Sequence, residues 1–141
     1  MSELQERIGV ILKQPQLATL ATITEDGKPW VRYVMTLADD GLLIRCATFI
    51  GARKVKQIEK NPEVHLTCGV TNPTEMVPYL QIQGQAKLTT EKDARHGFWT
   101  DMLAPIFDGP DDPKYGILEI TPYRIEFCSP GAPKPEIWTA S

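Results

Sequence analysis

One short stretch of this chain, with a third residue upstream, has the residue types and order to capture an anion. In Thr48-Phe49-Ile50-Gly51-Ala52-Arg53-Lys54-Val55 a strand ends, a glycine turns the chain, and a helix begins with two cations in its first turn. The helix dipole disfavours cations at that end by a few tenths of a kcal/mol, up to ~1 kcal/mol. A bound anion reverses the sign of that term. The free N–H groups, the dipole and both side chains then face one charge. Thr48 and Gly51 let a hydroxyl and the backbone approach it. On the other reading, Arg53 and Lys54 extend into solvent. Arg32 bears on the choice. It stands mid-strand on one face with Trp30, Val34 and Thr36, while Val31, Tyr33, Met35 and Leu37 take the other face. A charge among apolar neighbours needs a partner. A phosphate shared with Arg53 and Lys54 is one candidate, and a surface carboxylate is another.

The remaining reactive side chains form no pattern. His65 and His96 stand apart, with no HxxxH spacing, and a metal site needs three or four ligands. No metal centre is expected. Ser129 and Ser141 lack a GxSxG setting. Asp111 and Asp112 suit a turn. Cys46 and Cys68 read as small core residues. Trp99 falls beside the inward stripe of a helix, as rim packing or as a stacking surface. No residue stands out as catalytic.

Composition bounds the class. The chain has 141 residues, 42% hydrophobic and 23% charged, with a formal net charge of −3. That is one globular domain, expected to span 1–141. The acidic balance argues against a nucleic-acid partner. No apolar run approaches the ~18 residues of a membrane span. The polar start is unlike a signal peptide. Three cysteines without CxxC spacing suit a reducing cytoplasm rather than a disulfide framework.

The elements that position the cations follow from periodicity. Leu4, Ile8, Ile11 and Leu12 make a helical stripe behind Ser2 as cap, and Pro15 ends it. Strands are expected over 17–24, 30–37 and 42–49, joined at Asp26-Gly27 and Asp40-Gly41. The first strand carries no charge on either face, which predicts cover on both sides. A short helix over 51–60 follows, then strands over 63–71 and 79–88, the second interrupted at Gly84. Thr90 with Asp93 would cap a helix over 91–104, with Ala94, Phe98 and Met102 inward. Two strand segments, 116–121 and 123–128, flank Pro122, which must sit at an edge, bulge or corner. The Pro-rich tail, 129–141, has no clear periodicity. Six or seven hairpin-linked strands with about three peripheral helices predict a mainly β fold, a small antiparallel barrel.

The order of several segments resembles a known superfamily. The run Leu17-Ala18-Thr19-Leu20-Ala21-Thr22, then Asp26-Gly27-Lys28-Pro29, Arg32, Ala47-Thr48, Gly51-Ala52-Arg53-Lys54-Val55 and Asn61-Pro62 is similar to the pyridoxamine 5′-phosphate oxidase-like FMN-binding split barrels. Gly84-Gln85-Ala86, Phe98-Trp99, Gly109-Pro110-Asp111-Asp112-Pro113 and Ile120-Thr121-Pro122-Tyr123-Arg124-Ile125-Glu126-Phe127 resemble its general stress protein 26 branch. The likeness covers roughly 5–128 and leaves the tail out.

The resemblance implies a Greek-key split barrel that dimerises with FMN at the subunit interface. It implies that Arg32, Arg53 and Lys54 meet the phosphate and that Val34, Met35, Ala47 and Thr48 line the flavin or its ribityl chain. It places Gln83 and Gly84 near the cofactor and Trp99 near the ring. Gly51 departs from relatives that carry Asp or Ser there, and Cys128 from relatives that carry Trp. The terminal segment that reads pyridoxal phosphate in the true oxidase is absent, which argues against vitamin B6 oxidation. The implied function is an FMN-dependent oxidoreductase of unknown substrate. A non-catalytic flavin binder or buffer, and a barrel for deazaflavin or haem, stand as alternatives.

Overall fold

A computed structural model describes residues 1–141. Hydrogen bonding closes six strands into an antiparallel barrel. The strands are β1 (Gln16–Ile23), β2 (Pro29–Ala38), β3 (Ile44–Phe49), β4 (Glu63–Cys68), β5 (Tyr79–Thr89) and β6 (Tyr115–Cys128). β1, β2 and β3 form a meander. β4 then returns beside β1, which is the Greek-key order, and β3 pairs with β6 to close the ring. A seventh strand, β7 (Glu136–Thr139), adds to the outer edge of β6.

Three helices decorate the ring. α1 (Glu3–Leu12) is capped by Ser2, whose Oγ accepts from the N–H of Gln5. It buries Ile8 and Leu12 at the end of the barrel where β1 begins. α2 (Arg53–Lys60) buries Val55 and Ile58 where β1 finishes. α3 is shorter than the expected 91–104. It covers Lys92–Phe98 and gives way to a single 3₁₀ turn at Asp101–Leu103. Trp99 has an extended backbone, so the helical face ends there and Met102 is exposed instead of inward. Neither Thr90 nor Asp93 caps it; Glu91 takes that position without a side-chain bond.

The core fills the lumen. Ala18, Leu20, Ile44, Cys46, Leu66, Ile82 and Ile120 are among its members, each alternating with a more exposed residue. Burying a side chain of the Leu or Ile type contributes roughly 1.5–3 kcal/mol. β1 differs from its expectation. Its Ala18, Leu20 and Thr22 face is buried, but Leu17 on the other face is 58% exposed.

Pro122 does not divide two strands. β6 runs through it continuously, because Gln83 pairs with Arg124 and Gly84 with Pro122, leaving Tyr123 as an extra residue. The bulge shifts the phase. Leu118, Ile120 and Pro122 point inward before it, and Ile125 and Phe127 after it. The tail also departs from its reading. Glu136 is gripped by Arg7 through two hydrogen bonds, of 2.7 and 2.9 Å, and Trp138 packs on the barrel core.

The closure is uneven, and that shapes the site. β3 holds β6 through six residue pairs, from Ile44 with Ile120 to Phe49 with Tyr115. It holds β2 through two only, Leu37 with Arg45 and Ala38 with Ile44. Beyond Leu37 the two strands part. The facing edges of β2 and β3 then have no strand partner.

Candidate functional site

The parting of β2 and β3 opens an apolar groove of about 370 Å³. Tyr33 to Leu37 form one wall and Ala47 to Phe49 the other, with Lys54 at its head. The third wall runs from Phe98, the last residue of α3, through Leu103 and Phe107. A small second core stiffens that wall from behind. Phe107 packs on Phe49 and on Tyr115, with ring centroids 4.8 and 4.9 Å apart. Its volume lies in the usual range for small-molecule clefts, roughly 300–1,000 Å³.

Lys54 stands at the head of the groove, with Arg32 and Arg53 close beside it. Arg32 points to the barrel-facing side of β2, half-buried, where α2 covers the barrel. Its Nη1 donates to Thr22 Oγ1 at 2.7 Å and to the carbonyls of Trp30 and Leu20 at 3.1 and 3.3 Å. Its Nη2 donates to Gln57 Oε1 at 3.1 Å. Every partner is neutral. Burial, and then the neighbouring charge of Arg53, pull its pKa below the usual guanidinium value. Lys54 is half-buried too. Burial lowers its pKa, and the charge of Arg32 adds to that, against an opposing contribution from Cys46. None of Arg32, Arg53 and Lys54 is in a salt bridge.

The backbone adds donors. Ala52 precedes the first turn of α2 and offers no side-chain cap, and no acidic residue stands in that turn. Its free N–H groups therefore lie beside the cations. Partly buried positive charge with neutral partners is costly to leave uncompensated. The donor set fits a phosphate dianion, which takes up charge-assisted bonds from guanidinium, ammonium and backbone N–H together. The surface-carboxylate reading of Arg32 is overturned, because no carboxylate reaches it.

The expected residues divide by place. Val34, Met35, Ala47, Thr48 and Lys54 line the groove. Thr48 is 3% exposed, and its hydroxyl donates to the carbonyl of Phe49. Gly51 lies in the turn before α2, and a Cβ there would meet nothing within 4 Å. Trp99 stands behind the wall, edge-on to Tyr115 with centroids 5.6 Å apart, while its neighbours Phe98 and Thr100 line the groove. Gln83 is on the outer face of β5, in a polar depression with His65, Gln81, Arg124 and Glu126. Gln57 and Thr22, which hold Arg32, are absent from the expected set, although Gln57 carries a signal in the sequence. Gln57 lies one helical turn after Arg53, on the same side of α2.

Continuous with the groove wall, β1 and β2 present an exposed apolar face. Leu17 opposes Met35 and Ala21 opposes Val31, with Tyr33 between them. Val31 is 62% and Tyr33 74% exposed. No helix is long and apolar enough to cross a membrane.

Comparison with known proteins agrees with this architecture. A family model described as pyridoxamine 5′-phosphate oxidase matches residues 4–129. General stress protein 26 of Bacillus subtilis is 33% identical over 133 residues, covering 94% of each chain. The crystal structure of general stress protein 26 from Bacillus anthracis superposes with a TM-score of 0.85 at 27% identity, over 99% of this chain and 100% of that one. A pyridoxamine 5′-phosphate oxidase-type protein from Listeria innocua gives a TM-score of 0.76 at 27% identity, over 89% and 98%.

Proposed function

The chain belongs to the pyridoxamine 5′-phosphate oxidase family, general stress protein 26 branch, and from that premise we propose that it is an FMN-dependent oxidoreductase acting as a cytoplasmic homodimer. One observation carries the cofactor reading: Lys54 lines the apolar groove, and Arg32 and Arg53 stand close beside it, none of the three in an ion pair. Arg32, Arg53 and Lys54 hold the phosphate. Thr22 and Gln57 hold Arg32 in place. Val34, Met35, Ala47 and Thr48 give the planar ring an apolar bed, and the unpaired strand edges offer it backbone donors and acceptors. When bound, the flavin supplies the redox chemistry, and the protein supplies position and electrostatics.

The dimer reading rests on the exposed face of Leu17, Val31, Tyr33 and Met35, which a second copy would cover. Gln83 is remote from the groove of its own chain, so it reaches a flavin only across such an interface. One feature favours a second reading, a flavin carrier without turnover. No carboxylate and no imidazole lines the groove to move a substrate proton.

Purification without added cofactor, a visible spectrum, and titration with FMN test the proposal. Saturable binding at about one FMN per chain supports it. A colourless protein that ignores FMN overturns it. Turnover with a reductant then separates oxidoreductase from carrier.

A further inference from the structure

The apolar groove holds no carboxylate, but the space beside it holds four. A pocket of about 520 Å³ lies between α3 and the strands β2, β3 and β6. Leu37 and Phe98 line both the pocket and the groove, so the two spaces meet along that pair. Register brings a row of residues to the pocket: Leu37 pairs with Arg45, and Arg45 with Glu119. The start of α3 adds Glu91, Asp93 and Ala94 from the other side.

The charge of the pocket is one-sided. Asp39, Glu91, Asp93 and Glu119 line it against a single cation, Arg45. Arg45 is shared between two of them, reaching Asp39 Oδ2 at 3.4 Å and Glu119 Oε2 at 3.3 Å. Glu91 and Asp93 are in no ion pair. A cleft lined by one sign of charge focuses its field and concentrates ligands of the opposite sign. A metal ion does not suit it, since no three of these side chains come together as ligands. A second observation points to a ligand where the two spaces meet. Thr36, beside Leu37, lines the groove and is 2% exposed, and its Oγ1 has no hydrogen-bond partner. A buried hydroxyl left unpaired costs about 1–3 kcal/mol, which a ligand's polar group would relieve.

We infer that the substrate of the flavin groove is an organic cation. Its ammonium or guanidinium group is drawn by the carboxylates of this pocket, and its apolar part crosses Leu37 and Phe98 toward the groove. The inference rests on the flavin reading of the groove and names its substrate class. A charge that carries several N–H donors suits carboxylates that ring a space without converging. The Thr36 hydroxyl offers a hydrogen-bond partner at the crossing. The same field repels a phosphorylated substrate.

The test uses FMN-loaded protein at about pH 7 and probes that share one ring: benzylamine, a cation, with neutral benzyl alcohol and anionic benzyl phosphate. Calorimetric titration is expected to find benzylamine bound at least about tenfold tighter than either of the others. Raising the salt from about 0.05 M to about 0.5 M should weaken benzylamine and leave benzyl alcohol unmoved. Glu91→Gln with Asp93→Asn, both at exposed positions, should lower the preference to about threefold or less, with circular dichroism as the check on folding. Probes bound alike or not at all, benzyl phosphate preferred, or a preference that the variant leaves unchanged overturns the inference, while bound FMN leaves the flavin site standing. If FMN does not bind, the flavin reading itself falls, and this inference falls with it.

Discussion

Nη2 of Arg32 donates to Oε1 of Gln57 at 3.1 Å, so the arginine is held by an amide where a carboxylate would complete its charge. The near-isosteric Gln57→Glu supplies that carboxylate. Its expected result is a higher melting temperature of the free protein together with FMN binding weakened by about tenfold or more. Scanning calorimetry and FMN titration read the two effects. Raised stability with undiminished affinity would remove Arg32 from the phosphate site.

Removing the cations acts on affinity directly. Charge-assisted hydrogen bonds contribute about 1.5–3 kcal/mol each, so Arg53→Ala with Lys54→Ala should weaken FMN by well over tenfold. Fluorescence titration measures it. The double variant should keep its far-ultraviolet circular dichroism, since neither residue belongs to the barrel core.

The apolar face of β1 and β2 gives a prediction about assembly. Leu17 does not line the groove and is exposed. Leu17→Glu places a charge in the proposed two-fold contact, where it is repelled by its own copy. Sedimentation equilibrium should find the wild type dimeric and the variant shifted to monomer. A monomeric wild type would end the dimer reading.

Gly84 has a purely steric role. A Cβ there would lie 2.9 Å from the carbonyl oxygen of Thr121 and 3.2 Å from the Cα of Pro122. Both neighbours are backbone at the β6 bulge, so they yield little. Gly84→Ala should cost about 1–3 kcal/mol, read by urea unfolding.

The loop before β6 carries a pH dependence. Asp112 accepts N–H bonds from Asp108 and Lys114, both at 2.9 Å, and these hold its carboxyl below the usual value. A depressed folded pKa gives stability that is present above the unfolded value, about 3.9, and lost as pH falls through the folded one. Asp112→Asn should therefore lower the melting temperature at pH 7, and the gap from wild type should close below about pH 4. A gap that stays constant with pH would assign the effect to something other than the charge.

The cation cluster was legible because each charge contradicts its setting: Arg32 inside a strand, Arg53 and Lys54 at a positive helix end. Such conflicts are visible in local sequence. Gln57 was not, since a neutral amide on a polar helix face resembles any solvated residue until Arg32 arrives from another strand. The same contrast holds for the fold. Asp26-Gly27 and Asp40-Gly41 marked two hairpins from within their own few residues. β7 leaves no local signal, because its order comes from distant partners: Arg7 on Glu136, and the edge of β6. Pro122 looks like a break in local sequence, because its accommodation depends on Gly84, thirty-eight positions earlier in the chain.

The two residue pairs that join β2 to β3 leave the barrel laced on one side and open on the other. A ligand seated in that opening takes the place of missing strand pairs. Its supply then enters the folding equilibrium by mass action: at a hundredfold excess over Kd it adds about 2.7 kcal/mol. Amide protons along the free edges of β2 and β3 should exchange rapidly with solvent in the empty protein and slow when the seam is filled. On the flavin reading, how much folded protein survives heat or proteolysis is tied to how much ligand surrounds it.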